Sequence, residues 1–471
     1  MAAIVFAATA PGPGRDVVLG DSLEGRPVRN IAVLAHNLYE PLPRGPLQPL
    51  YRIANHLHVH TRAATIRDAL LLRPGDPWSV ERARESMRAL RSLGILEPQR
   101  IGAIPVDDSV DVRVETRDDW TTQPEFASQS ANGTSFTSIS LTERNVLGWG
   151  KGISLSYHEA PEGISRDAEY QDPNLFGSRL RLSTHAGTGS EGASQGFDVR
   201  VPFYAETTPD AYGGHWNLAT SVAHLFVSGA EAASFDRRVE ETEVDWGQGF
   251  LHGPDVVRMI GAFLVRDRRF GASRLEPGAP AEFAGGEDNV NERRWSGEIR
   301  WWRPGFIEVE GVERLGGIED VDLGPTARLT AGFSPRWLGA TADEGYLAGG
   351  FDGGHSTGRH AFVMASVDGH ARLRRDPRET IVHERARWVV QPRRDHALVF
   401  AAYGGFAHRP ERDYQEILGG LSGLRALPVR GLTGQQAWRF NAEHRWWAGR
   451  EFFQLFSLGT AAFYDMGRTW G

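Results

Sequence analysis

Two carboxylates near the end of the chain lie on segments that alternate polar and apolar residues, as β-strands do. Glu443 shares the polar face of its segment with Asn441 and Arg445, and Asp465 shares its face with small residues. An arginine from a loop could therefore reach Asp465 and bind it through charge-assisted, bidentate hydrogen bonds. The alternative is that Glu443 and Asp465 are two of many carboxylates in the lumen, and that each pairs with an arginine on a neighbouring strand. The residues alone favour this alternative.

Enzymatic chemistry has little support in the residue pattern. The chain contains 16 histidines but neither an H-E-x-x-H motif nor a phosphate-binding P-loop. Because cysteine is absent, disulfides, thiolate metal sites and a cysteine nucleophile are excluded. Asp245, His252 and His355 have no spacing typical of a catalytic or metal site. We expect no enzymatic activity, no cofactor and no bound metal.

The composition of the 471 residues is typical of a β-rich protein. Glycine (55), tryptophan (14) and phenylalanine (23) are frequent together, which fits a membrane β-barrel and also a soluble all-β protein. No segment has the roughly 18 to 20 consecutive apolar residues of a membrane helix. The net charge of −8 argues against nucleic acid as a partner.

The N-terminal part divides into two units. Residues 1–25 are predicted to be a signal remnant and linker, because an apolar run ends in the A-x-A pattern Ala8-Thr9-Ala10. The run lacks a basic start, so an ordinary alanine-rich terminus is the alternative. Residues 26–118 are predicted to form a small α+β domain with the element order β-α-α-β-β, whose second helix follows the N-cap Ser79. We expect this domain to touch the rest of the chain mainly near residues 116–123.

Residues 119–471 alternate polar and apolar residues over many short segments. Ile153, Leu155 and Tyr157, for example, are interleaved with polar residues. A soluble sandwich would bury the apolar face, whereas a membrane barrel would turn it to lipid. Aromatic residues near the strand ends, charged polar faces, and short connections that alternate with long ones favour a transmembrane antiparallel β-barrel.

Five strings in this part resemble landmarks of the BamA/TamA outer-membrane assembly and translocation superfamily. In chain order they are TERNVLGWGKGISLSY with Asn145 and Gly148, YQDPNLFGSRLRL with Asp172, Pro173 and Gly177, GLRALP with Arg425, NAEHRWW with Glu443, and FYDMG with Asp465 and Gly467. The β-α-α-β-β unit before them resembles a single POTRA domain. The resemblance covers nearly the whole chain.

The resemblance implies a loop at residues 405–434 that folds into the barrel, with Arg425 near Asp465 or Glu443. The chain departs from the family pattern, because Ala426 and Leu427 stand where the family has glycine and an aromatic residue. Arg430, in the string VRGL, is a second candidate for the arginine at the loop tip. It lies close to the following strand, so we favour Arg425.

The resemblance also implies a function in the outer membrane of a Gram-negative cell. The barrel would insert or secrete polypeptide clients that the periplasmic POTRA-like domain recruits. Expected partners are outer-membrane lipid and lipopolysaccharide, an unfolded or extended polypeptide client, and periplasmic accessory proteins. A passive outer-membrane pore and a soluble all-β binding protein are the alternatives.

The resemblance further sets an expected strand number. Barrels of this family have about sixteen strands, and an even number is the rule in bacterial barrels. We therefore expect about three strands to be missing after Gly471, and the strand near Phe126 to lack its proper partner.

Overall fold

The computed structural model describes residues 3–7, 17–131, 134–313, 318–448 and 457–471. The predicted A-x-A motif at residues 8–10 lies outside these ranges. No helix in the described part of the chain is long and apolar enough to cross a membrane.

A small α+β domain occupies the N-terminal part, after a first short strand, β1 (Ala3–Ala7), that belongs to the main sheet. Its elements are β2 (Val17–Leu19), β3 (Val28–His36), α1 (Gln48–Leu57), α2 (Ala63–Ala69), α3 (Val80–Ser92), β4 (Leu96–Val106) and β5 (Ser109–Asp118). The four strands form their own sheet in the order β2-β4-β5-β3. β4 and β5 are antiparallel, while β2 pairs with β4 and β3 pairs with β5 in parallel. Strand β2 and helix α1 are additions to the β-α-α-β-β order.

The core of this domain is formed by alternate residues of a strand and by one face of a helix. On β5, the alternate residues Val110, Val112 and Val114 are buried, and on α3 the residues Met87 and Leu90 are buried against them. The side chain of Ser79 accepts a hydrogen bond from the backbone N–H of Arg82 and so caps α3, as expected from its residue type.

The rest of the chain is almost entirely strands. They are β6 (Thr122–Ala131), β7 (Thr134–Glu143), β8 (Gly152–Ala160), β9 (Gly163–Asp172), β10 (Arg181–Gly189), β11 (Gly192–Val201), β12 (Asp210–Val227), β13 (Ala230–His252), β14 (Asp255–Phe270), β15 (Arg274–Leu275), β16 (Asp288–Trp302), β17 (Phe306–Glu310), β18 (Ile318–Asp322), β19 (Thr326–Ser334), β20 (Glu344–Gly358), β21 (Ala361–Leu373), β22 (Pro377–Arg393), β23 (His396–His408), β24 (Glu416–Leu418), β25 (Leu432–Gly434), β26 (Gln436–Trp447) and β27 (Ser457–Trp470).

The long strands pair antiparallel with their neighbours along the chain, from β6 to β27. The second side of β27 pairs with β1, from Ala3 opposite Ala461 to Ala7 opposite Ser457. Two small hairpins, β17–β18 and β24–β25, stand apart from the main sheet. Each hairpin lies in a connection between two long strands. The two connections are at opposite ends of the barrel.

In the described part of the chain the main sheet has 19 strands, including the short β1 and β15, so the expected number of about sixteen is wrong. That number came from the resemblance and not from the residues. Tight turns at residues 161–162 and 190–191 join strands of only nine or ten residues, and such hairpins add strands without adding long loops. The expectation of further strands after Gly471, with a missing partner for the strand near Phe126, stays a prediction.

The two faces of the main sheet differ in chemistry. Large apolar residues on one face are exposed, among them Leu155, Trp295, Leu329, Phe351 and Tyr464. The other face carries ion pairs. An apolar outer face around a charged interior is the arrangement of a membrane barrel.

The interior includes a continuous charged network. Its centre is Arg372, which is buried and donates to Glu344 at 2.6 Å, to Glu379 at 2.6 Å and to Glu411 at 2.6 Å. Glu411 belongs to the connection between β23 and β26, so this network joins the barrel wall to that connection. Burial of an arginine with three carboxylates is stable only while all partners stay in place.

The N-terminal domain contacts the barrel at more places than the segment predicted, residues 116–123. Within residues 116–123, Asp118 serves the domain itself, because it is fully buried and accepts hydrogen bonds from His58 and from the backbone N–H of Thr61. The carbonyl of Thr121 accepts from the backbone N–H of Arg144 at 3.2 Å, and β6 begins at Thr122. The barrel is also contacted through its turns. The backbone N–H of Arg62 donates to the carbonyl of Gly148 at 2.9 Å. A linker-centred contact was expected from chain continuity alone, whereas the turns offer unpaired backbone groups.

Candidate functional site

A connection of the barrel, residues 409–435 between β23 and β26, lies inside the lumen and spans it. At one wall, Gln415 exchanges two hydrogen bonds with the backbone of Phe226 at the end of β12, at 2.9 and 3.1 Å. Thr433 also donates to the carbonyl of Phe226, at 2.9 Å. At the other wall the connection reaches β26 and β27 through Arg425. We call residues 409–435 the lumen loop.

Arg425 joins both predicted carboxylates. Its Nε and Nη2 donate to the two oxygens of Asp465 at 2.9 and 2.8 Å, and its backbone N–H donates to Asp465 at 3.0 Å. Its Nη1 donates to Glu443 at 2.6 Å. The Asp465 side chain is only 3% exposed, whereas that of Arg425 is 31% exposed. This is the bidentate geometry in which arginine binds carboxylates most strongly, and we call it the Arg425 latch.

Neighbouring side chains fix the latch from several sides. Asn441 donates to Asp465 at 2.7 Å and to the carbonyl of Gly423 in the lumen loop at 2.6 Å. Arg445 donates to the second oxygen of Glu443 at 2.5 Å. The guanidinium of Arg425 lies 3.7 Å from the ring centre of Phe463, a cation–π contact. The hydrogen bond to Asp465 raises the pKa of Arg425 above its ordinary value, so the latch arginine remains charged.

Gly467, predicted with the latch, has a role in backbone packing. A Cβ atom at this position would lie 2.7 Å from the carbonyl oxygen of Trp438 and 3.2 Å from the Cβ of Arg439. The absence of a side chain lets β26 and β27 approach closely. That approach places Asn441 beside Asp465, its partner in register.

The second candidate arginine, Arg430, binds a different wall of the barrel. It forms an ion pair with Glu162, in the turn between β8 and β9, and lies 4.3 Å from the ring centre of Phe226. This pair lowers the pKa of Glu162 from its ordinary value. Arg430 therefore anchors the lumen loop far from the latch.

The turn landmarks lie at the end of the barrel that faces the N-terminal domain. Asp172 is buried, and accepts from the backbone of Asn174 at 3.1 Å and from Lys151 at 2.9 Å. Pro173 and Gly177 complete that turn, where Gly177 has a φ of 68°. None of them reaches the latch.

Asn145 and Gly148 have a second role, because their turn receives the N-terminal domain. The side chain of Asn145 donates to Thr61 at 2.8 Å, and the hydroxyl of Thr65 donates to the carbonyl of Gly148 at 3.0 Å. A Cβ atom at Gly148 would lie only 2.2 Å from the carbonyl oxygen of His60. The glycine is thus required by the docked domain.

We expect the substitution Gly148→Ala to weaken docking strongly. The φ of Gly148 is 77°, and the added methyl would collide with backbone that cannot move independently. Hydrogen exchange of α2 in the full chain should become faster, and proteases should cut more readily between domain and barrel. Gly177→Ala is the matched control, since Gly177 has a similar φ but no atom within 4 Å of the place that a Cβ would take. Equal effects of the two substitutions would contradict a docking role.

The β17–β18 hairpin, which was not predicted from the sequence, links the domain to the latch. On the domain side, Arg91 of α3 binds Asp320 with two hydrogen bonds of 2.8 Å and also contacts Glu308 at 3.3 Å. On the barrel side, Arg445 donates to the carbonyl of Val312 at 2.7 Å. The glycine-flanked alternation at residues 305–324 was the available signal.

Gly311 and Val312, which follow β17, are buried in the barrel interior. Val312 is 1% exposed and packs in a cluster with Phe362, Val389 and Val399. Trp447 donates to the carbonyl of Gly311 at 2.9 Å. The hairpin therefore fills the lumen from the side of the N-terminal domain, and the lumen loop fills it from the other side. Both meet at Arg445 and Glu443.

Comparisons with known proteins concern the fold of the chain. No protein-family model and no curated protein matches the chain. Similar solved structures include BamA from Haemophilus ducreyi lacking POTRA domains 1-3, with 10% identity, a TM-score of 0.36, and coverage of 93% of this chain and 85% of that one. CdiB from Escherichia coli has 11% identity, a TM-score of 0.45, and coverage of 94% and 77%. CdiB from Acinetobacter baumannii has 7% identity, a TM-score of 0.42, and coverage of 94% and 74%.

These similarities are distant. The predicted mostly-β barrel is confirmed by the main sheet itself, which has an apolar outer face and a charged interior. Among the described residues, no group of three or more histidine, aspartate or glutamate side chains is arranged to hold a metal ion.

Proposed function

We propose that this protein is an outer-membrane barrel that inserts or secretes polypeptide clients, which its periplasmic N-terminal domain recruits. The observation that carries the proposal is the way in which the lumen is filled. The lumen is filled by two segments, the lumen loop and the β17–β18 hairpin, which belong to connections between wall strands. They are held by ion pairs, hydrogen bonds and apolar packing, so their release would leave the pairing of the wall strands intact. A barrel that served only as a static anchor would have no need of removable segments.

The N-terminal domain supports the recruitment of an extended chain. Strand β3 lies at one edge of the four-stranded sheet and pairs with β5 on its other side. The loop at residues 75–76 covers only the start of β3, through hydrogen bonds to Val28. The remainder offers backbone donors and acceptors to which an unfolded client can add as a strand, with little sequence preference. This free strand edge supports the proposed POTRA-like role of the domain.

The position of the domain supports the transfer of a client. It is docked on the turns around the barrel opening, and its helix α3 holds the hairpin that fills that opening. Outer-membrane lipid and lipopolysaccharide would surround the apolar outer face. Periplasmic accessory proteins would act on the domain side.

An enzymatic function is not proposed. The residues Gly192 to Gly196 spell G-x-S-x-G, a pattern that also occurs in serine hydrolases. They lie in the regular strand β11, with Ser194 paired to Gly187 of β10. A hydrolase nucleophile needs a sharp strand-to-helix turn. A passive pore remains the second candidate, because the wall and the outer face would serve it equally well.

The recruitment step is tested with the full chain in lipid nanodiscs and a urea-denatured porin as probe. We expect the porin to slow hydrogen exchange of the backbone amides on the free edge of β3, between Asn30 and His36. A folded porin is the control and should leave the exchange unchanged. No protection by the denatured porin, together with stable ion conductance, would support the passive pore instead.

A further inference from the structure

One strand of the barrel carries a carboxylate on its outer, apolar face. On β22, Arg385 and Arg387 point into the lumen, where they form ion pairs with Asp368 and Glu313. Because side chains alternate along a strand, Glu384 lies on the opposite face, with Trp388. Glu384 is exposed, and no basic side chain among the described residues pairs with it.

Glu384 lies beside an open groove on this outer face. The groove has a volume of about 530 Å³. Its floor consists of small residues, among them Ala386, Ala402 and Gly404, and its walls include Phe351 and Trp438. The carboxylate of Glu384 lies over Gly404, since a Cβ atom there would be 3.5 Å from its Oε2.

An arginine faces outward on the same row of the sheet. On adjacent strands, Glu384 lies opposite Gly404, Gly404 lies opposite Trp438, and Trp438 lies opposite Arg468. Arg468 alternates with the outward residues Met466 and Trp470, is exposed, and has no acidic partner among the described residues. Three strand spacings of about 4.8 Å separate it from Glu384 by roughly 14 Å. The two charges are therefore too far apart to pair within one chain.

Each charge is costly on a face that meets lipid. A charged side chain on the lipid face of a barrel destabilises the barrel most near the midplane and less near the interfaces, and a carboxylate costs less than an arginine. A partner that brings the opposite charge would remove this cost. A surface that carries one acidic and one basic residue is complementary to a second copy of itself, as a two-fold interface requires.

We propose that this face binds a second copy of the chain in a two-fold dimer, in which Glu384 pairs with Arg468 of the partner subunit and Arg468 pairs with Glu384 of the partner subunit. The small residues of the groove floor allow the two barrels to approach closely. The arginine stem of the partner lies along the groove, and the ring of Trp438 lies near the two-fold axis. The proposal does not depend on the proposed function, because it concerns only the outer face.

Charge reversal tests the interface without ambiguity. The dimer is measured by single-molecule photobleaching of labelled protein in lipid vesicles, over a range of protein density. Glu384→Arg places two arginines opposite each other, and Arg468→Glu places two carboxylates opposite each other. We expect each variant alone to dimerise at least about tenfold more weakly than the wild type.

A mixture of the two variants should dimerise as strongly as the wild type, because each charge then meets its opposite in the mixed dimer. The double variant Glu384→Arg with Arg468→Glu should also recover. Heat-modifiable migration on gels verifies that every variant forms a barrel. A monomeric wild type, unchanged dimers of the single variants, or no recovery in the mixture would each overturn the proposal.

Discussion

Replacing Arg425 with alanine is expected to free the lumen loop from the barrel wall and to open the lumen from that side. The substitution removes the partner of Asp465, which is 3% exposed, and one partner of Glu443. Breaking a buried ion pair costs roughly 3–5 kcal/mol. We expect about 3 kcal/mol, the lower end of that range, because Arg425 is partly exposed. An equilibrium between a docked and a released loop would shift about a hundredfold.

Single-channel recording in planar bilayers measures this release. The wild type should show rare and brief openings, and Arg425→Ala should show frequent, long ones. Arg425→Lys should lie between them, because lysine keeps the charge but loses the bidentate geometry. Arg430→Ala is the control from the same loop and should have a smaller effect, since it leaves the latch intact. An Arg425→Ala variant as quiet as the wild type would show that the latch does not hold the loop.

Reversing the charge of Arg91 is expected to separate the N-terminal domain from the β17–β18 hairpin. Arg91→Glu would place a third carboxylate beside Asp320 and Glu308, where the arginine now makes hydrogen bonds of 2.8 and 3.3 Å. Burial already raises the pKa of Asp320 despite the arginine. Loss of that positive charge would therefore favour undocking or protonation of Asp320. The hairpin would lose its support from the domain.

Distances between spin labels measure the separation, and the chain contains no cysteine that would interfere with labelling. One label on α3 and one on the barrel turn at residues 145–150 should give a single short distance in the wild type and a broad, longer distribution in Arg91→Glu. Arg84→Glu is the matched control, because Arg84 lies on the exposed face of the same helix. Asp320→Arg in the Arg91→Glu background should restore the short distance. Identical distributions for Arg91→Glu and Arg84→Glu would exclude Arg91 as the docking residue.

Much of the fold could be predicted because each strand carries its own signal. Alternation such as that of Ile153, Leu155 and Tyr157 specifies a strand with one apolar face, and its repetition over the chain indicates one large sheet. Helix α3 could be predicted in the same way from Ser79 and its apolar stripe. These are local patterns that need no knowledge of distant contacts.

The remaining features depend on contacts between distant residues. The pairing of Arg425 with Asp465 joins positions 40 residues apart, and the residues alone could not distinguish it from a pair within the wall. The contact of Arg91 with Asp320 spans 229 residues, and neither residue type is unusual in its own segment. The family resemblance predicted the contact of Arg425 with Asp465 but not the contact of Arg91 with Asp320. It also supplied the strand number, which was wrong.

The most direct test of the Arg425 latch is a chemical crosslink between the lumen loop and the barrel wall. Leu424 of the loop is 2% exposed and lies in one apolar cluster with Ala437 of β26. With cysteines at these two positions and no others in the chain, a short bis-maleimide should join them in isolated outer membranes. After proteolysis between residues 424 and 437, the crosslinked protein migrates differently on a gel from the protein without a crosslink. Nearly complete crosslinking in the wild-type background, and its loss in Arg425→Ala, is the result that the latch predicts. Absence of the crosslink in the wild-type background would place the loop outside the lumen and contradict the latch.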